Sequence, residues 1–369
     1  MDAYVLRKFF PGNNTPQGFF SFFQYIIRRE EAKDVLILKG GPGVGKSVFM
    51  KGIAGEMLRR GLPVEYHHCA SDPDSLDAVA FPTIGVALLD GTAPHVVDPL
   101  YPGCVDWIVN LGDYWDEGSL KANRVEIIRH TQSIGRHYAH AYRTLQAAKN
   151  IYDDWAAANR AALQGGLVNQ KRSFLQELLS PYPVAKSPGR RRCLFATAIT
   201  ASGLVSFLDG LMDPVKDVYV VTGEPGTGKS QLLRTLGEDA LQRGFDVEFY
   251  QCPLDPVGRV EHLIIPELKA AVATSTIYHP YIREGLAGLI DMGNCLDPAQ
   301  QDRKLIEEDR ELFNQLLERS ISFLRQAKQA HDQLESYYVP HMDFDGVAAL
   351  RARVMERILA HADKASARI

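Results

Sequence analysis

No apolar run in the 369-residue chain approaches the roughly 20 residues that span a bilayer. The most apolar early stretch, Phe19 to Ile27, is short and is interrupted by Ser21 and Gln24. A charged-then-apolar leader with a cleavage site is also missing, so a membrane or secreted product is not expected. Cysteine is scarce: five residues, an odd number, without a C-x-x-C pair. That excludes a disulfide framework and suits a cytoplasmic protein. Charge excess is missing too. Lys and Arg number 41 against 45 Asp and Glu, net −4, which argues against a coat for nucleic acid or anionic lipid. No N-K-x-D or T-K-x-D segment is present. The 46% hydrophobic and 23% charged composition excludes wholesale disorder. The length suits two domains.

What is present is an internal repeat. Val35 to Cys69 (VLILKGGPGVGKSVFMKGIAGEMLRRGLPVEYHHC) aligns without a gap with Val218 to Cys252 (VYVVTGEPGTGKSQLLRTLGEDALQRGFDVEFYQC). The match continues through Asp72-Pro73 and Asp255-Pro256. With a one-residue gap it reaches Pro82 and Pro266, then His95 and His279. Gly18 to Phe22 resembles Gly203 to Phe207. These matches predict a full duplication, with the boundary in the proline-rich segment Ser180 to Gly189. The expected domains are 1–183 and 184–369.

Each half reads in the same order. An extended piece comes first (Tyr4 to Phe10; Cys193 to Ala198), then a short helix, opened by Thr15-Pro16 in the first half. A buried strand (Val35 to Lys39; Val218 to Thr222), a glycine loop and a helix ending before Gly61 or Gly244 follow. A second strand comes next (Val64 to His68; Val247 to Gln251). The alternation predicts an α/β fold with parallel sheets covered on both faces.

Gly40 to Ser47 (GGPGVGKS) and Gly223 to Ser230 (GEPGTGKS) both fit G-x-x-x-x-G-K-[ST] between a strand and a helix. Glycines let successive N–H groups turn inward around a phosphate, and the helix adds its positive end. The expected cradles are Gly41, Gly43, Val44, Gly45, Lys46, Ser47 and Val48, and Glu224, Gly226, Thr227, Gly228, Lys229, Ser230 and Gln231. Lys46 and Lys229 would bridge β- and γ-phosphates, while Ser47 and Ser230 would ligate Mg²⁺. Both halves resemble P-loop NTPases through these loops, which predicts two tandem P-loop domains.

A magnesium-holding carboxylate is expected at the end of an apolar strand. Val86 to Asp90 has that form, and Asp90 is the Walker B residue of this reading. The matching stretch, Ala270 to Thr274, ends in a hydroxyl. The two sites are therefore expected to be unequal, the first being the better catalyst. The residue after Asp90 is Gly91, where many AAA- and RecA-type ATPases carry glutamate. Leu89 to Pro94 faintly resembles the D-G-x-P stretch of adenylate-kinase-like enzymes.

Taken whole, the chain resembles an uncharacterised bacterial family of double P-loop proteins, labelled only as ATPases or nucleotide-binding proteins. KGGPGVGKS, HHCASDPDSLD, LLDGTAPHVVDPLYPG, NLGDYWDE and FATAITASG carry the likeness. It implies the fold and ATP binding.

Further candidates are Asp72 and His95, with their counterparts Asp255 and His279. They follow strands, where ligands collect in such sheets, and are read as a general base or magnesium partner and as an acid/base or γ-phosphate group. Either Asp could instead cap a helix, since Asp-Pro opens helices well, and either His could be a hydrogen-bonded loop residue. His67-His68-Cys69 cannot converge on one ion, because neighbours on a strand face opposite sides. Cys69 and Cys252 read as small core residues.

Long helical stretches follow each core. Ile127, Thr131, Ile134, Tyr138, Ala141, Leu145, Ala148, Tyr152 and Trp155 form a coiled-coil seam, with a partner helix from about Asn159 to Leu179. Phe313, Leu317, Ile321, Leu324 and Leu334, then Val347 to Ala362, repeat this more loosely. The expectation is a helical hairpin on each core, about 118–180 and about 298–365, through which a protein partner could dock. Arg129, Arg136 and Arg143 recur at heptad spacing on an outer face, read as solvated. The function expected is a Mg²⁺-dependent ATPase, with a nucleotide or metabolite kinase and a nucleotide-gated scaffold as alternatives. Nucleic acid is not an expected partner.

Overall fold

The computed structural model describes residues 6–93 and 95–366; Tyr4, Val5 and Pro94, which two of the expectations include, lie outside them. The first half runs β1 (Leu6–Phe9), β2 (Gly12–Thr15), β3 (Gly18–Ser21), β4 (Asp34–Lys39), α1 (Lys46–Arg59), β5 (Val64–His68), β6 (Leu76–Phe81), β7 (Val86–Asp90), β8 (Asp106–Asn110), α2 (Glu117–Ala122), α3 (Arg124–Ala161) and α4 (Gly165–Gln176). The second runs β9 (Arg191–Leu194), β10 (Thr197–Thr200), β11 (Gly203–Ser206), α5 (Leu208–Met212), β12 (Asp217–Thr222), α6 (Lys229–Gln242), β13 (Val247–Cys252), β14 (Asp255–Ile265), β15 (Ala270–Thr274), β16 (Gly288–Asp291), α7 (Arg303–Glu335) and α8 (Phe344–Ser366). The fold is mixed α/β with two six-stranded, mostly parallel sheets.

The sheet orders are β1-β5-β6-β7-β4-β8 and β16-β12-β15-β14-β13-β9. Within these two sheets the ladders are parallel except those of β6 and β14, which run antiparallel to both neighbours. This corrects the expectation of wholly parallel sheets. The reason is loop length: a parallel crossover needs a dozen residues or more, and the Cys69–Ser75 connection allows only a hairpin. β4 is buried on both faces, as a parallel strand should be. Leu36 and Leu38 pack with Phe49, Ile53 and Met57 of α1, while Val35 and Ile37 pack with Phe23 and Ile26.

Thr15-Pro16 does not open a helix. It begins a turn between β2 and β3, where Thr15 Oγ1 donates to Gly18 O at 2.7 Å and Gly18 takes φ +106°. Thr200 and Gly203 repeat the arrangement at 2.8 Å and φ +106°. The expected helix ends hold: α1 and α6 stop before Gly61 and Gly244, which have φ +73° and +86°.

The chain forms two compact contact units, and neither follows a sequence half. One comprises the chain up to Gly12, Ser21–Ala139 and Phe323 onward; the other comprises Asn13–Phe20 and His140–Ser322. In the first unit, the last helix of the chain lies on the first sheet's helix. Val347, Val354 and Ile358 of α8 join the α1 core. Asp34, at the head of β4, anchors α8 by accepting from Arg357 Nε and Nη2, both at 2.7 Å, with His361 Nε2 at 2.7 Å. In the second unit α4, from the first half, lies on α6. The first-half hairpin joins the second-half one there: Asn13 Nδ2 donates to Thr197 O at 2.9 Å and Asn14 Nδ2 to Ile199 O at 2.8 Å.

The arms are therefore not self-contained hairpins, a second correction. α3 continues unbroken past Asn159 to Ala161, and α4 turns onto α6 instead of back along α3. The seam partner of α3 is α7. Ser320 Oγ donates to Ala141 O at 3.0 Å, and Phe313 stacks obliquely on Tyr152 at 5.3 Å, so the pairing is antiparallel. The long seams match each other better than either matches a twelve-residue α4. Ala141, Leu145, Ala148, Trp155, Phe313, Leu317, Ile321 and Leu324 are buried as expected.

Candidate functional site

Each sheet presents the same local device. In the first, β4 leads through Gly40, Gly43 and Gly45, with φ +150°, +69° and +89°, into α1. In the second, β12 leads through Gly223, Gly226 and Gly228, with φ +134°, +84° and +90°, into α6. Side chains resist these angles, which is why glycine stands there. Val44 and Thr227 are fully buried and anchor the loops; Thr227 Oγ1 donates to Glu224 O at 2.8 Å.

The lysines fold back over their loops. Lys46 Nζ donates to Gly40 O at 3.0 Å and Gly41 O at 2.9 Å. Lys229 Nζ donates to Gly223 O at 2.6 Å and Glu224 O at 2.7 Å. The serines are held alike: Ser47 Oγ accepts from Leu76 N at 3.0 Å, and Ser230 Oγ from Val260 N at 2.8 Å. Val48 and Gln231 follow on the exposed first turn of each helix. One loop amide already faces an anion: Gly43 N donates to Glu335 Oε1 at 3.1 Å.

Asp90 closes β7 beside the first lysine, with its Oδ2 3.7 Å from Lys46 Nζ. Its Oδ1 accepts from Thr92 N at 2.9 Å and from the Thr92 hydroxyl. Burial pushes the Asp90 carboxyl up, and the nearby Asp77 charge adds to that, beyond what Lys46 offsets. Thr274 occupies the equivalent place in the second half, its Oγ1 3.1 Å from His279 Nε2.

His95 joins this group through Asp77, with Nε2 3.2 Å from Oδ1, and its ring stacks on Phe23 at 5.1 Å. Burial lowers its pKa, but the charge and hydrogen bond of Asp77, together with the Asp90 charge, outweigh it and the net shift is upward. His279, buried against Thr274 and Thr276, shifts down instead. Cys69, Asp77 and His95 place ligand-type atoms within 4.8 Å of one another, as do Glu261, His262 and His279. Burial and the adjacent carboxylates push the Cys69 and Cys252 thiols well up, which makes them protonated and unreactive.

Asp72 lies apart from this group. Its oxygens accept from Asp74 N at 3.3 Å and Ser75 Oγ at 3.1 Å, and Lys328 Nζ lies 3.6 Å away. It caps the β5–β6 turn. Asp255 similarly accepts from Gly258 N at 2.8 Å.

Sequence reasoning missed Asp77 and Glu261. They sit at matched positions of the repeat, so both copies hold an acid on the antiparallel strand. It also missed the arginines of a cavity of ≈ 1080 Å³ in the second unit, which opens over the second loop. Arg160, Arg172, Arg259 and Arg310 line it together with Lys229, Trp155 and Tyr278. Trp155 Nε1 donates to Glu224 Oε2 at 2.9 Å and Asn159 Nδ2 to Pro225 O at 2.9 Å, which seats the end of α3 on the loop. Lys229 is brought down to about 8, chiefly by burial, which outweighs the pull of Glu224 and Glu261. No helix among the described residues is long and apolar enough to cross a membrane. No family model, curated protein or solved structure matches the chain.

Proposed function

We propose that the protein is a tandem P-loop nucleotide-binding protein, a Mg²⁺-dependent ATPase with two unequal sites and the first the better catalyst. The observation that carries this reading is the duplicated strand–loop–helix, with three left-handed glycines, a lysine over the loop and a serine at the helix start. A polyphosphate would take the loop amides in place of Glu335, with Lys46 against its negative charge. Ser47 and Asp90 are oxygen donors that suit a hard cation, and the crowding of Asp90 by Asp77 favours a positive charge there. Magnesium bound between them would neutralise phosphate charge as it develops. His95, kept basic by Asp77, is the group available to take a proton from an attacking hydroxyl or water.

Phosphate release tests this. Lys46→Ala should reduce turnover about 100-fold or more, and Lys229→Ala less. Asp90→Asn should bind nucleotide but lose magnesium-dependent turnover. The reading fails if the folded wild-type chain releases no phosphate and binds no ATP. A kinase is the second reading, favoured by the cavity, whose lining extends from the loop to Ile199 and Leu204 and leaves room for an acceptor. It predicts negligible hydrolysis until a phosphate acceptor is added.

A further inference from the structure

The two loops differ in what stands at the strand end beside the lysine and in the cations around it. Around Lys46 stand two carboxylates, Asp77 and Asp90. Around Lys229 the counterpart of Asp77 is Glu261, which accepts from the Cys252 thiol as Asp77 does from Cys69; Glu224 adds a second carboxylate, and the counterpart of Asp90 is Thr274. Thr274 cannot supply a negative charge. In addition Arg259, on β14, stands close enough for its charge to act on Lys229; the repeat puts Ser75 at that position in the first half.

Arg259 is held from behind. Its Nη2 pairs with Asp153 Oδ1 at 2.6 Å and its guanidinium lies 4.8 Å over the Tyr152 ring. Its Nη1 is buried without a hydrogen-bond partner among the described residues, as are Arg172 Nε and Arg310 Nε. All three residues line the cavity above the loop, Arg310 standing 5.7 Å over Trp155. In that cavity each of the three guanidinium groups offers a planar fork that fits phosphate.

We propose that the second loop binds its phosphate ligand without a divalent cation, the arginines supplying the charge that magnesium supplies at the first. This rests on the nucleotide-binding reading and narrows it: the ligand is a nucleotide polyphosphate taken as the bare anion. It also removes Ser230 from the magnesium ligands expected on sequence grounds and leaves it a loop support bonded to Val260.

The test is calorimetric titration of ATP into the full-length Lys46→Ala chain, once with excess Mg²⁺ and once with EDTA. The expected result is one site whose affinity agrees within about threefold between the two buffers. Arg259→Gln in the same chain should weaken the EDTA titration about tenfold or more, with partial recovery in Arg259→Lys. A tenfold or greater loss in EDTA for the Lys46→Ala chain overturns the proposal and leaves nucleotide binding standing. No binding in either buffer by a folded chain overturns both.

Discussion

Gly43 donates its amide hydrogen to Glu335 Oε1 at 3.1 Å, a bond between residues 292 apart in the chain. Val339 packs on the same glycine and Tyr338 on Gly41, so the end of α7 covers the first loop with a carboxylate at its centre. A nucleotide phosphate would compete with Glu335 for that amide. Glu335→Gln should therefore tighten ATP binding at the first loop about threefold to tenfold, a charged hydrogen bond discounted for the partial exposure of Glu335. The measurement is ATP affinity in a Lys229→Ala chain. Unchanged affinity would take Gly43 out of the phosphate cradle.

Lys229 predicts a pH dependence at the second loop. Burial brings its pKa down to about 8; Glu224 and Glu261 pull it up, and Arg259 pushes it down. A bound anion favours the charged lysine, so binding just above pH 8 should take up a proton, and affinity should fall as pH rises through 8. Calorimetry of the Lys46→Ala chain in buffers of different ionisation heat reads the uptake. In the free chain, stability should rise between about 8 and 10.5, where the unfolded state holds more protons. Binding without proton exchange would mean that Lys229 does not touch the ligand.

Asp34 sets the acid limit of the first unit. Burial pushes its carboxyl up, but the hydrogen bonds from Arg357 and His361 outweigh that and leave it below the usual 3.8. A depressed carboxylate stabilises the fold above the unfolded value and loses that contribution as pH falls through the folded one. Arg357→Ala should cost about 2 kcal/mol at neutral pH and move acid unfolding to higher pH. Denaturant titration at neutral and acid pH checks both; an unchanged acid midpoint would leave Asp34 out of the transition.

Gly226→Ala tests the seat of α3. Gly226 has φ +84°, and a Cβ there would lie 2.0 Å from Ala156 O, a backbone atom. The substitution should cost about 2 kcal/mol or more and change Trp155 fluorescence, because Trp155 is bonded to Glu224 in the same loop. Gly166→Ala, whose Cβ would meet nothing, is the matched control.

Local motifs were legible in the sequence where they are self-contained. The strands flanking each loop, the left-handed helix ends at Gly61 and Gly244, and Asp90 at the end of β7 all lie where the pattern puts them. β6 was not legible: its six residues are all buried, so no alternation marks a strand, and Asp77 breaks the apolar run. The acid repeated at Asp77 and Glu261 stands within its strand, away from the strand end where a metal carboxylate is expected. The exchange that lays α8 on α1 and α4 on α6 is tertiary. An amphipathic helix shows that it needs a partner and does not say which. Arg160, Arg172 and Arg310 lie on α3, α4 and α7, and no local pattern marks them before the fold brings them around one cavity.

The central claim is that each glycine loop is a nucleotide site. Counting bound ATP by equilibrium dialysis, with magnesium present, in four full-length chains tests it most directly. Two nucleotides per wild-type chain, one in Lys46→Ala, one in Lys229→Ala and none in the double variant is the predicted result. Undiminished ATP binding in the folded double variant, or none in the folded wild type, would contradict it.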